Sequence, residues 1–391
     1  MEALPNYSLQ NPLLKITHHP YVLVTGGLGF IGSHVVIKLY AKALNIIILD
    51  NLSNSNVIVL DKIRDIISKN ITSKDSKSES TITFVKGDIR NSDILDNIFK
   101  KYPIAFVLHF AALKSVNESQ KYPELYEQIN VEGTKNLLFA MAKNGCKKII
   151  YSSSATVYGD EVAPVNENTN VGNGLACNYA RNKYDVERYL IENSNGSGKF
   201  SDWKIVILRY FNPIGAHPSG KIGEDPNDIP NNVFPYLLRV AKWTNTDHSK
   251  TLFTASKSPY EIFTVFGDDY QTRDGTCIRD YVHVQDLARA HVDVLSVLNT
   301  NKFETLESAG VLKIYNVGTG KGSTVLELVN AMNQILVSSG KKPIPYCIGA
   351  RREGDLDISY ADVTKIAGEI GFNTECDINK MCKNGLNFVG L

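Results

Sequence analysis

Tyr179 and Lys183 stand four residues apart in "YARNKYDVERYLIENS", and of the 19 tyrosines only Tyr179 has a lysine at that spacing. The stretch 179–194 has helical periodicity, so the two side chains share a face. A free phenol has a pKa of about 10, too high for a base at neutral pH. A cation beside it favours the phenolate and lowers that value. The pair follows "KKIIYSSSA" (147–155), a predicted strand that ends on serines. Ser154 at that end can hydrogen-bond a substrate hydroxyl and help its proton leave. Taken singly, Ser154 reads as a strand-end serine bonding backbone, and Tyr179 as an amphipathic residue opening a helix. Together the three predict a site that takes a proton from an alcohol.

A second constellation lies near the start of the chain. "VTGGLGFIGSH" (24–34) repeats glycine every third residue, at Gly26, Gly29 and Gly32. It joins the apolar run "YVLVT" (21–25) to "FIGSHVVIKLYAKA", whose Ile31, Val35, Val36, Leu39 and Tyr40 have helical spacing. Strand, glycine turn and helix make a seat for a dinucleotide. Glycine allows the tight turn and the close approach of backbone to a pyrophosphate, and the helix start supplies N–H groups. Asp50 ends the next strand, "NIIILD" (45–50), where its carboxylate can accept hydrogen bonds from a ribose. The same charge repels a 2′-phosphate, which favours NAD over NADP. The plainer reading of Asp50 is a turn cap in "LDNLSNSN". Asp88, in "KGDIR" after the buried strand "TITFVKGD" (81–88), lies where adenine would sit. A nicotinamide cation would then join Lys183 in lowering the pKa of Tyr179.

These groups need a frame. Further strands are predicted at "IAFVLHFAA" (104–112) and "WKIVILRYFN" (203–212), with a helix over about Leu125 to Asn144 that ends on Gly145. Six strands alternating with helices predict an α/β fold, a Rossmann-type doubly wound parallel sheet. After Asn212 the stretch "NPIGAHPSGKIGEDPNDIPNN" reads as loop, and shorter elements follow. The expected organisation is an extension over 1–20, a cofactor domain over 21–211 and a smaller mixed α/β domain over 212–391. Some elements of the last part are expected to pack back on the first. Polar insertions are expected at 71–80 and 244–258.

Bulk properties exclude several classes. The chain has 391 residues, 43% hydrophobic and 21% charged, with a net charge of +1. That balance leaves no basic patch for nucleic acid. No apolar run approaches the roughly 20 residues that span a bilayer. Six cysteines include no C-x-x-C pair, which gives no support to a metal site and fits reduced thiols. The first 20 residues lack a charged start followed by an apolar core, so a cytoplasmic location is expected.

The motifs "TGGLGFIG", "DNLSNS", "GDIR", "FAALKSV", "SSSATVYG", "YARNK", "RYFNPIGAHPSG", "IRDYVHV", "YNVGTG" and "RREGD" resemble the UDP-galactose 4-epimerases of the extended short-chain dehydrogenase/reductase family. The similarity runs from about residue 21 to residue 370. It implies that Tyr179 takes the proton of a sugar 4-hydroxyl while C4 passes a hydride to NAD. A 4-keto sugar then turns and takes the hydride back, so NAD stays bound. The resemblance implies NAD contacts at Phe30 and Ile31, at Asp50, Asn51, Leu52, Ser53, Asn54 and Ser55, and at Asp88 and Ile89. It extends them to Phe110, Ala111, Ala112, Leu113 and Lys114, to Asn130, and to Ser154, Tyr179, Lys183 and Phe211. For the UDP-sugar it implies Lys114, Ser154, Tyr179, Asn212, Asn232 and Val233, with Thr264, Val265 and Phe266 packing on uracil. Arg279 and Arg352 would hold the diphosphate, and Tyr281 and Asp355 are neighbouring uridine contacts. A homodimer through the helices near 126–144 and 179–194 is also implied.

Ser359 departs from family members that carry tyrosine there, beside the sugar's 2-substituent. A small residue leaves room for an N-acetyl group, so UDP-GlcNAc and UDP-GalNAc are expected as further substrates. Ala155 and Thr156 stand where sugar-nucleotide 4,6-dehydratases place an acid/base pair, and Thr156 where UDP-glucuronate decarboxylases place glutamate. A non-catalytic NAD-binding sensor remains the reading from another class, and retention of both Tyr179 and Lys183 speaks against it.

Overall fold

The computed structural model describes residues 20–70, 80–247, 258–300, 310–352 and 354–391. The expected N-terminal extension, most of both polar insertions and Glu353 of "RREGD" lie outside the described residues.

Six strands form in the order expected: β1 (Tyr21–Thr25), β2 (Asn45–Asp50), β3 (Ile82–Lys86), β4 (Ile104–His109), β5 (Lys148–Ser154) and β6 (Lys204–Tyr210). The helices between them are α1 (Phe30–Tyr40), α2 (Ile58–Asn70), α3 (Ser92–Lys101), α4 (Val116–Lys121), α5 (Pro123–Tyr126), α6 (Gly133–Lys143) and α7 (Asn178–Ser194). The later elements are β7 (Asn212–Ile214), α8 (Val233–Thr244), β8 (Phe263–Phe266), β9 (Ile278–His283), α9 (Val284–Leu298), β10 (Val311–Val317) and β11 (Gly322–Thr324). The chain finishes with α10 (Val325–Ser338), β12 (Tyr346–Gly349), β13 (Ile358–Ser359), α11 (Thr364–Ile370) and α12 (Ile378–Phe388).

The main sheet is parallel and seven-stranded, in the order β10-β6-β5-β4-β1-β2-β3. Apolar residues on both faces explain why its inner strands read as unbroken hydrophobic runs. Val22 and Val24 pack with α1, α2 and α9, whereas Leu23 packs with α3, α6 and α7. The reversal of strand order at β1 and β4 opens a crevice beyond the strands' carboxyl ends, where open α/β sheets take ligands.

Three sequence expectations need correction. The sheet has a seventh strand: β10 pairs with β6 from Val311 opposite Lys204 to Val317 opposite Tyr210. The third strand is half-buried rather than buried, because only β2 flanks it at the sheet edge. The helix expected over 125–144 is interrupted by a π-helical turn, Glu127–Glu132, and its C-cap is Asn144, with Gly145 following at φ +72°.

The later elements build a smaller assembly around Phe234, Leu237, Leu328, Met332, Met381 and Leu386. Its strands β11, β9, β13 and β7 form one small sheet, and β8 pairs with β12. Among the described residues no helix is long and apolar enough to cross a membrane. All six cysteines are free thiols.

Candidate active site

A cavity of about 970 Å³ opens where the parallel strands end and the smaller assembly meets them. Gly26, Gly29, Phe30, Ile31 and Gly32 form part of its wall. A Cβ on Gly26, where φ is +69°, would lie 2.7 Å from the Ala111 nitrogen. A Cβ on Gly32 would lie 2.3 Å from the Gly26 carbonyl oxygen. No side chain can be added to either glycine without moving backbone. Helix α1 begins at Phe30 behind Gly29, with no side-chain cap and no acid in its first turn. Its first N–H groups and dipole are left for an anion.

Asp50 closes this turn from β2. Its Oδ2 accepts from the Leu28 N–H at 3.0 Å, and its Oδ1 from the Leu52 N–H at 2.9 Å and the Ser55 hydroxyl at 2.8 Å. The carboxylate therefore also does the turn-capping work weighed in the sequence. Leu52 takes φ +64° there and packs against the core, while Asn51, Ser53, Asn54 and Ser55 line the cavity. Asp88 lines it too, held by Arg90 and by Asn51 Nδ2 at 2.9 Å. The hydrogen bonds from Arg90 lower its pKa to about 2.

Ile89, Phe110, Ala111, Ala112, Leu113 and Lys114 continue the wall. Asn130, buried in the π-helical turn, bonds both the N–H and the carbonyl of Leu113, at 2.8 and 3.0 Å. The interruption in the helix thus fastens this loop, a local use of π geometry common at functional sites.

Tyr179, Lys183 and Ser154 meet in the cavity, with Phe211 beside them on its lining. Lys183 Nζ donates to the Ser152 carbonyl at 2.6 Å and lies 5.9 Å from the centre of the Tyr179 ring. Ser154 Oγ accepts from the Thr156 N–H at 3.3 Å and the Thr156 hydroxyl at 3.0 Å, on the same cavity wall as Tyr179. Burial pushes the Tyr179 phenol up to about 12, against the hydrogen bond from Ser154. Burial pulls the Lys183 ammonium down to about 7, against the charge of Glu187. The sequence led us to expect a lowered phenol. Desolvation outweighs the chain's own favourable contacts at both groups.

From the smaller assembly, Asn212, Asn232, Val233, Arg279, Asp355 and Ser359 reach the cavity. Arg279 forms an ion pair with Asp355. Asn232 Nδ2 donates to Glu224 at 3.1 Å, and Lys114 pairs with the same carboxylate. Thr264, Val265, Phe266, Tyr281 and Arg352 are not on the cavity wall. Val265 and Tyr281 are buried in the core of the smaller assembly, and Arg352 lies 4.1 Å over the Phe266 ring.

The uncapped helix end, the two crowded glycines and the acid closing the turn fit a dinucleotide. The pattern of the NAD dependent epimerase/dehydratase family matches residues 22–318. The chain belongs to that family. It is 41% identical over 363 residues to the UDP-glucose 4-epimerase of Bacillus subtilis, covering 92% of this chain and 94% of that one. Among solved structures, the Stenotrophomonas maltophila UDP-glucose 4-epimerase with bound NAD and formylated UDP-arabinopyranose aligns with a TM-score of 0.81 and 37% identity, over 95% of this chain and 98% of that one. The Bifidobacterium longum enzyme in complex with NAD+ and UDP gives 0.78 and 38%, over 94% and 97%. Within this family frame, sequence reasoning missed Glu224, Glu187 and Arg209. Glu187 was within reach, since it stands two turns beyond Tyr179 on the same helix.

Proposed function

We propose that this protein interconverts UDP-galactose and UDP-glucose through a transient 4-keto sugar, with NAD retained from cycle to cycle. One observation carries the reading: a single cavity holds Tyr179, Ser154 and Lys183 together with Arg279, Asp355 and Ser359. Bound NAD would take the hydride from sugar C4 and return it, and its nicotinamide cation would favour the Tyr179 phenolate. The glycine turn, the segments 50–55 and 88–89 and the wall 110–114 would hold it.

The chain's own residues do the proton work. Tyr179 Oη takes the proton of the sugar 4-hydroxyl, and Ser154 Oγ bonds the same oxygen. Lys183 stabilises the phenolate with its charge. Arg279, on the cavity wall, holds the diphosphate through fixed paired donors, while the sugar turns about its phosphate link. Once the sugar presents its other face, Tyr179 returns the proton to the same oxygen. Ala155 and Thr156 line the cavity where dehydration would require an acid/base pair. Neither can protonate a leaving hydroxyl.

The purified protein should carry NAD and convert UDP-galactose to UDP-glucose, and Tyr179→Phe should abolish turnover. An NAD-bound wild type without turnover would leave the sensor reading instead. Ser359 favours a second substrate pair, because a small side chain on the cavity wall leaves space for an N-acetyl group. Assay of UDP-GlcNAc and UDP-GalNAc decides this.

The division of labour follows the fold, with cofactor groups before residue 212 and most sugar-nucleotide groups after it. A homodimer through α6 and α7 is supported by Phe139 on α6, 69% exposed despite its size, and light scattering tests it. Free thiols support a cytoplasmic location.

A further inference from the structure

Helix α7 carries a third ionisable group on the face of Tyr179 and Lys183. Glu187 stands one turn past Lys183 and is 1% exposed. Its partner is Arg209 on β6, 2% exposed. Arg209 Nε reaches the two carboxylate oxygens at 3.1 and 3.2 Å, and Nη2 donates to Oε2 at 2.7 Å. Ser153 donates its hydroxyl to Oε1. On its other edge Arg209 donates to Tyr158 Oη at 3.0 Å, and Tyr158 donates to Asn316 Oδ1 on β10 at 2.7 Å. Neither Glu187 nor Arg209 lines the cavity, so neither touches a ligand there.

A buried ion pair is weak support for stability, since apolar replacements of similar volume often serve as well. What this pair does have is an address. Two consecutive residues at the end of β5 are held by α7, Ser152 through Lys183 and Ser153 through Glu187, and Ser154 follows them directly. Lys183 is surrounded by groups that offer no charge to balance it. The rings of Tyr151 and Tyr179 lie 5.0 and 5.9 Å from Nζ. His109 on β4 is buried and its pKa falls to about 3, so it stays neutral. Arg209 lies behind the carboxylate it grips. Against the desolvation that pulls Lys183 down, the opposing charge is that of Glu187.

We propose that Glu187, clamped by Arg209, is a positioning residue that gives Lys183 its counter-charge and fixes the edge 152–154 against which Tyr179 works. The proposal rests on the epimerase reading. Arg209 fixes the carboxylate by a bidentate grip, which a lysine at that position would not reproduce.

The test uses the NAD-bound protein and two readouts: kcat and KM for UDP-galactose across pH, and NMR titration of the Lys183 side chain. In Glu187→Gln, kcat at neutral pH should fall about tenfold with KM nearly unchanged, and both the alkaline limb and the Lys183 titration should move about one unit lower. Glu187→Asp, which keeps the charge, should restore both. The double variant Glu187→Gln, Arg209→Met leaves no buried charge unpaired. It keeps the question answerable if the single variant does not fold, and should show the same direction of shift. A folded variant with wild-type limb and titration overturns the proposal, whatever its thermal stability, because the pair would then be only structural. A wild type that binds NAD without epimerising refutes the epimerase reading separately, and the Lys183 titration still decides the counter-charge.

Discussion

Lys183 donates from Nζ to the carbonyl oxygen of Ser152 at 2.6 Å, which ties the helix bearing Tyr179 to the strand ending in Ser154. The bond fixes the ammonium beside the phenol without using a side chain that substrate needs. Lys183→Met should therefore damage chemistry more than binding. Loss of the cation removes the charge that favours the Tyr179 phenolate, and kcat should fall by about 10²–10⁴ with KM little changed. The unpaired Ser152 carbonyl should cost about 1–3 kcal/mol in stability. Steady-state kinetics and thermal unfolding of the same preparation separate the two, and a variant with near-normal kcat would remove Lys183 from the mechanism.

Gly32→Ala tests the cofactor seat. Its methyl would stand 2.3 Å from the Gly26 carbonyl oxygen and 2.8 Å from Gly27 Cα, both backbone atoms of the turn itself. The turn must open, which spoils the approach to a pyrophosphate. The purified variant should lose most of its copurified NAD, read by extraction and absorbance. Added NAD should raise its melting point less than it raises the wild type's. Full NAD occupancy in a folded variant would show that the cofactor lies elsewhere.

The seat and the Tyr179–Lys183 pair were legible because each is local. Gly26, Gly29 and Gly32 fall within seven residues, and Tyr179 and Lys183 within one helical turn. β10 was missed because its partner β6 lies about a hundred residues earlier, and nothing in "VLKIYNV" names that partner. The edge position of β3 depends on strand order, which the segment does not encode. The π-helical turn shows its purpose only when Asn130 meets Leu113. Arg209 reads as part of a motif strand, and its grip on Glu187 is a packing fact between α7 and β6. Glu224 escaped notice inside a Gly/Pro-rich loop, although it gathers Lys114 and Asn232 at the cavity.

Ser359→Tyr tests how the cavity selects its sugar. Ser359 shares the lining with Arg279 and Asp355, and β13 pairs Ser359 with Arg279. A phenol there takes up space beside the bound sugar. An overpacking cost of about 1–3 kcal/mol borne only by the larger N-acetyl substrates lowers their kcat/KM about tenfold or more relative to the plain hexoses. The ratio of kcat/KM for the two pairs is the measurement, and an unaltered ratio would place the 2-substituent away from Ser359.

Acid should destabilise the fold well before its carboxylates titrate. Burial lowers the pKa of His34 and His109 to about 3 and of His291 to about 4. Burial holds each neutral, and at His34 and His291 it does so against a carbonyl hydrogen bond that favours the charged form. His34 Nδ1 donates to the Phe30 carbonyl at 2.6 Å, His291 Nδ1 donates to the Leu287 carbonyl at 2.8 Å, and His109 bridges Thr25 and Thr134. In the unfolded chain these imidazoles titrate near a pKa of about 6.5. Between that value and the folded values the unfolded state binds protons that the folded state refuses. Stability therefore falls as pH drops through this window, by about 1.4 kcal/mol per pH unit for each group. His217 and His283, also lowered by burial, act in the same direction. Lys183 does not enter, because its folded and unfolded states differ in protonation only from about pH 7 upward. The midpoint of urea unfolding should decrease between about pH 7 and about pH 5, and His291→Gln should shallow that slope. A midpoint that stays constant over this range would mean that the folded protein protonates these histidines as readily as the unfolded chain does.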